Sequence, residues 1–132
     1  MANLARVLLL TENEKLRNFL LPLSQWLELH APLKAIDALE HIGAHQPQLI
    51  LIDATVLTPM VMALLTTIRQ LPQYSGVPLV ILGETPQAKR LQPDAQFGNQ
   101  FNLRRLEEKI ADLAGVKLTG RAMHGPHSGS IY

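Results

Sequence analysis

Short continuous apolar runs alternate along this chain with stretches whose apolar residues recur every three or four positions. The first run, Arg6 to Leu10 (RVLLL), lacks polar alternation, as a strand buried on both faces of a parallel sheet should. Thr11 and Glu14 follow with capping-box spacing, which predicts a helix opening at Thr11. Its stripe is Leu16, Phe19, Leu20, Leu23, Trp26 and Leu27, with Leu21 outside it. Pro22 falls inside this pattern and predicts a kink or a shifted start.

Pro32 to Ile36 (PLKAI) reads as a short second strand. Asp37 and Glu40 form a second cap-like pair, predicting a helix through His45 that buries Leu39 and Ile42 and stops at Pro47. Leu49 to Asp53 (LILID) carries the strongest strand signal in the chain. Thr58-Pro59 pairs an N-cap with proline at the first helical position, and Val61, Leu64, Leu65, Ile68 and Leu71 form the stripe that follows. After a loop at Pro72 to Gly76, Val77 to Leu82 (VPLVIL) predicts another buried strand. Two prolines limit the next segment to a short helix around Gln87 to Leu91, and Gln96 to Phe101 is a weak strand candidate. Asn102 caps a last helix bearing Leu103, Leu106, Ile110 and Leu113, with Gly115 at its C-terminal stop.

Strand and helix thus alternate about five times, which predicts a parallel sheet with helices on both faces. Residues 1–115 form the expected domain. Residues 116–132, VKLTGRAMHGPHSGSIY, have no periodicity and three glycines, and are expected to be a flexible tail or a linker to a further domain.

Composition narrows the function classes. The chain has 132 residues, enough for one domain that buries roughly two-thirds of its unfolded surface. It is 47% hydrophobic but only 5% aromatic, so the core must be aliphatic. Twelve basic and 11 acidic residues are mixed along the chain, leaving a net charge of +1 and no basic block of the kind that contacts nucleic acid. Cysteine is absent, which excludes a disulfide framework and cysteine chemistry. No segment has the length of a signal core or a membrane span, so a cytoplasmic domain without membrane contact is expected.

In open parallel sheets, functional groups gather outside the carboxyl ends of the strands. Asp53 ends the LILID strand, and Thr11, Glu12 and Gly83 follow the ends of two others. This order and spacing resemble the receiver domain of bacterial two-component response regulators over about residues 5 to 115, without a gap from Gln46 to Leu82. The resemblance implies a flavodoxin-like, doubly wound, five-stranded parallel sheet in strand order 2-1-3-4-5.

What the resemblance implies for chemistry can be carried over one residue at a time. The phosphoacceptor carboxylate falls on Asp53. The acidic pair of the magnesium site falls on Thr11 and Glu12, so one acid is missing, and the metal-ligating carbonyl falls on Thr55. The switch hydroxyl falls on Gly83, which has none. The lysine that holds the phosphoryl group falls on Asn99, with Gln100 in place of the proline after it. The switch aromatic lands at Gln96 or Phe97. A unit charge about 4 Å from the phosphoryl oxygens is worth on the order of a few kcal/mol at an effective dielectric near 20, and Asn99 cannot supply it. The chain is also short at the second strand and after Gly83.

The expectation is therefore a degenerate receiver, non-enzymatic and independent of phosphorylation. It would regulate through a protein partner, an output domain of a longer chain, or homodimerisation. The expected face runs from Thr85 to Gly115 and includes Phe97, Phe101, Leu103 and Arg104. The alternative is a working receiver, phosphorylated on Asp53 by a histidine kinase with Mg²⁺ at Glu12, Asp53 and Thr55; only then is a cofactor expected. Asp53 can otherwise be a structural carboxylate that bonds the loop after it, Glu12 a first-turn helix acid and Thr11 an N-cap. His41 and His45 have the spacing of two zinc ligands on a helix without a third, and His124 and His127 lie in the expected tail. No G-x-G-x-x-G, G-x-x-x-x-G-K-[ST] or G-x-S-x-G occurs. The TENEK segment lacks the glycine and hydroxyls of a flavodoxin phosphate loop.

Overall fold

A computed structural model describes residues 4–115. Residues 116–132, including His124 and His127, lie outside the described residues. Five parallel strands form one sheet in the order β2-β1-β3-β4-β5: β1 (Ala5–Leu10), β2 (Leu27–His30), β3 (Leu49–Asp53), β4 (Leu79–Leu82) and β5 (Ala95–Phe97). The helices are α1 (Glu14–Leu20), α2 (Ala35–Glu40), α3 (Ile42–His45), α4 (Pro59–Gln70), α5 (Ala88–Leu91) and α6 (Leu103–Ala114). This is the doubly wound order expected from the sequence.

Two apolar layers cover the sheet. Leu8, Leu10, Ile50, Ile52 and Ile81 pack on one face with α2, α4 and α5, while Val7, Leu9, Leu49, Leu51 and Val80 pack on the other with α1 and α6. Every residue of β3 and β4 is buried, which explains why both read as continuous apolar runs rather than alternating ones. Burying one such Leu or Ile contributes roughly 1.5–3 kcal/mol. Thr58 caps α4 through Val61 N at 3.3 Å, and Asn102 caps α6 through Arg104 N at 2.8 Å. Gly115 closes α6 at φ 71°, as its C-terminal position predicts.

Five boundaries differ from expectation. The first helix opens at Asn13, whose side chain accepts from Lys15 N and Leu16 N, and Thr11 is engaged elsewhere. Pro22 ends α1, and Leu21–Gln25 continues as a 3₁₀ turn because proline has no N–H for the helical ladder. Freed from that helix, Leu27–His30 forms the second strand, pairing Leu27 with Ala5. The PLKAI segment is thus not a strand; its last two residues start α2. The predicted helix through His45 breaks at His41 (φ −116°, ψ 33°) into α2 and α3. Finally, β5 stops at Phe97, and Phe101 leaves the sheet edge to sit in the core.

Candidate functional site

The carboxyl ends of β1, β3 and β4 share one edge of the sheet, which brings Thr11, Asp53 and Gly83 together with the loop after β5. Asp53 is the last residue of β3 and only 6% exposed; Thr11, directly after β1, is 1% exposed. A carboxylate buried to this extent needs hydrogen-bond partners. The Thr11 hydroxyl donates to Asp53 Oδ2 at 2.7 Å, and Thr55 N–H donates to Asp53 Oδ1 at 3.1 Å. Thr11 Oγ1 in turn accepts from Asn13 N at 3.0 Å. The Arg17 guanidinium donates to the Thr11 carbonyl at 2.6 Å, tying α1 to the end of β1. Asp53 is therefore spanned by two donors from two different loops.

Gly83 sits at φ 107°, a conformation that side-chain-bearing residues rarely adopt. A Cβ placed there would meet Ala54 Cβ at 3.1 Å and Asn99 Oδ1 at 3.3 Å. Gly83 N–H donates to the Phe97 carbonyl at 2.7 Å, and the Gln96 amide donates to the Gly83 carbonyl at 3.0 Å. The turn after β4 is thus shaped for glycine. Asn99 turns its Oδ1 toward Glu84 N–H at 3.2 Å.

These residues line a cavity of about 180 Å³, walled by Asn13, Leu16, Asp53, Thr55, Leu82, Gly83, Gly98, Asn99 and Phe101. Glu12 does not line it. It is exposed and borders a separate hollow of about 170 Å³ with Lys34, Ala35, Ile36, Thr55, Val56, Thr58 and Val61. The structure thus brings Asp53, Thr55, Thr11, Gly83 and Asn99 together, with Glu12 on an adjoining hollow that shares Thr55. Among the described residues, no three His, Cys, Asp or Glu side chains cluster as metal ligands would.

The expected interface needs one correction. Phe101 is 6% exposed and packs edge-on against Phe19 (centroids 5.7 Å apart) and Phe97 (6.1 Å), so it serves the core rather than a docking face. Phe97 and Leu103 are half-buried against the same cluster. Arg104 is exposed and pairs with Glu108 at 3.4 Å. Glu107, on the inner side of α6, is buried, and burial raises its pKa. The indole of Trp26, Arg104 and Glu108 modulate that rise, although the Trp26 N–H falls short of hydrogen-bond geometry. Trp26 packs against the core, although it lies beyond the end of α1 and not on a helical stripe.

Sequence reasoning missed Asn13 and Arg17, although Asn immediately before Glu14 is a helix-start signal. It also missed His30. His41 is itself the break between the two helices, so it and His45 do not share one helical face, and His45 meets His30 across the gap between α3 and β2. Nothing in the linear spacing of His30 and His45 signals that contact. No helix among the described residues is long and apolar enough to cross a membrane.

The sequence matches no family model, and no curated protein is similar to it in sequence. Solved structures are similar in fold. A response regulator from Chloroflexus aurantiacus superposes with a TM-score of 0.72 at 19% identity, covering 86% of this chain and 99% of that one. The chemotaxis protein CheY4 of Vibrio cholerae gives 0.71 at 17% identity, covering 84% and 99%. The receiver domain of a sensor histidine kinase from Pseudomonas aeruginosa, which has a magnesium ion coordinated in its active-site cleft, gives 0.70 at 15%, covering 86% and 99%. At this identity the likeness establishes a shared flavodoxin-like fold.

Proposed function

We propose that this chain is a receiver-type signalling domain that works without phosphorylation, regulating a protein partner or an output domain by contact. The receiver fold supports the signalling class, and the single observation that carries the reading is the hydrogen bond from Thr11 to Asp53. Phosphoryl transfer to a carboxylate requires a free nucleophilic oxygen, a cation to offset the approach of two anions, and donors that hold the transferred group. Here each carboxylate oxygen already accepts a hydrogen bond, which makes its remaining lone pair a poorer nucleophile. The second metal acid is a threonine, Glu12 borders another hollow, and glycine and asparagine stand where a hydroxyl and an ammonium would act. The donor set does not fit a magnesium site. Asp53 acts instead as a structural link, bonding the loop that follows β3 to the loop that follows β1.

Contact with a partner, or with a second copy of the chain, is assigned to the face from Thr85 to Gly115. Its accessible groups are charged residues of α6 such as Arg104, with Phe97 and Leu103 at the margin.

The test is direct. Full-length protein is incubated with a small acyl phosphate and Mg²⁺, and its intact mass is followed. The mass is expected to stay unchanged. A stoichiometric phosphoryl adduct that disappears in Asp53→Ala would overturn the proposal in favour of a working receiver served by a histidine kinase.

A further inference from the structure

His30, the last residue of β2, and His45, the last of α3, bring their rings together edge to face. Their Nδ1 atoms lie 3.3 Å apart and their ring centroids 5.5 Å apart. On the far side of its ring, His30 Nε2 bonds Glu28 Oε2 at 2.7 Å. Glu28 and His30 are two residues apart on one strand, so they share a face. The backbone enforces the approach. His30 is in register with Leu8, and the chain after His45 turns at Gln46 (φ 45°). The Gln46 N–H bonds the Ile42 carbonyl, and its own carbonyl accepts from Arg6 Nε at 2.7 Å.

The hydrogen on His30 Nε2, donated to Glu28, leaves Nδ1 of the neutral ring as a lone pair facing His45. His45 can answer with an N–H, or with a second lone pair if the two nitrogens share a cation. A tetrahedral zinc ion with Zn–N bonds near 2.0–2.1 Å sets two ligand nitrogens about 3.3–3.4 Å apart. The observed separation matches that edge. A carboxylate on the remote nitrogen is also what orients imidazole ligands in metal sites, and Glu28 holds that position. Both histidines are part-exposed, so water can reach the remaining coordination positions.

We propose that His30 and His45 form a two-imidazole site for a borderline divalent cation of the zinc class, with Glu28 orienting His30 and water completing the shell. The site is assigned to His30 and His45 because theirs are the two ring nitrogens that meet; the Nδ1–H of His41 donates instead to the Asp37 carbonyl at 3.0 Å. With only two protein ligands, the ion exchanges with solvent and is not a permanent structural centre. Its binding joins the edge strand β2 to α3 and stabilises the folded state by mass action.

Calorimetric titration of the full-length chain with Zn²⁺ tests this. It is run in a His124→Ala/His127→Ala background, so that those two imidazoles cannot supply the signal. One ion per chain and a raised Tm are expected. His30→Gln or His45→Gln, checked for folding by circular dichroism, weakens binding at least about tenfold, while His41→Gln changes it by less than about twofold. Long-range ¹H–¹⁵N spectra show the Nδ1 signals of His30 and His45 shifting with zinc. Absence of binding, or binding that survives His30→Gln and His45→Gln together, overturns the assignment and leaves an imidazole–imidazole hydrogen bond.

Discussion

The hydroxyl of Thr11 and the carboxylate of Asp53 are joined by a buried 2.7 Å hydrogen bond that links the ends of β1 and β3. A hydroxyl offers one proton, and Thr11 directs it at the carboxylate while its oxygen accepts from Asn13 N. One side chain thus satisfies the buried acid and the start of α1 together.

Thr11→Val therefore removes the hydroxyl that donates to Asp53 Oδ2 and accepts from Asn13 N. Hydrogen bonds to charged groups contribute about 1.5–3 kcal/mol, so a loss of that order is expected in urea denaturation. Thr11→Ser keeps the hydroxyl and should recover most of it. A double-mutant cycle with Asp53→Ala should show strong coupling between the two sites. Additive effects would mean that the bond contributes little.

Gly83→Ser restores a hydroxyl at the turn after β4, but it forces a side chain into φ 107° and against Ala54 and Asn99. A residue held in so sparsely populated a region costs about 1–3 kcal/mol, which should appear as a lowered Tm. Gly76→Ser is the control: an added Cβ there meets nothing within 4 Å, and its stability should change by less than about 0.5 kcal/mol. Equal effects at the two positions would refute the account of Gly83.

Glu107 predicts a pH dependence. Burial is the main cause of its raised pKa, opposed by Trp26 and Arg104 and assisted by Glu108. A carboxyl that binds its proton more tightly when folded favours folding fully below its unfolded pKa. That contribution is lost as pH rises through the folded pKa. Stability of the natural chain, relative to Glu107→Gln, should fall as pH rises from about 4.5 through the raised folded pKa. Denaturant midpoints of both proteins across that range test the sign. A difference that does not vary with pH would contradict it.

Much of this molecule is legible in its apolar periodicity. LILID and VPLVIL contain strands because a strand covered on both faces tolerates no polar alternation, and that requirement is local in the chain. The Thr58, Asn102 and Gly115 boundaries are legible for the same reason: a cap acts on its own helix end within three or four residues. The second strand was not legible. Trp26 and Leu27 fit a helical stripe, and only the effect of Pro22 and the vacant edge of β1 make Leu27–His30 a strand.

The candidate site divides along the same line. The residue types at Thr11, Asp53, Gly83 and Asn99 carry the expectation of an incomplete phosphate-binding set. That the Thr11 hydroxyl bonds the Asp53 carboxylate, that Gly83 leaves little room for a side chain and that His30 meets His45 are facts of the tertiary structure. Each depends on where two distant segments stop along parallel strands. The sequence alone determined the periodicity of the elements and the chemistry available at their ends. Strand register and loop conformation, set by packing over the whole sheet, decided which of those groups touch.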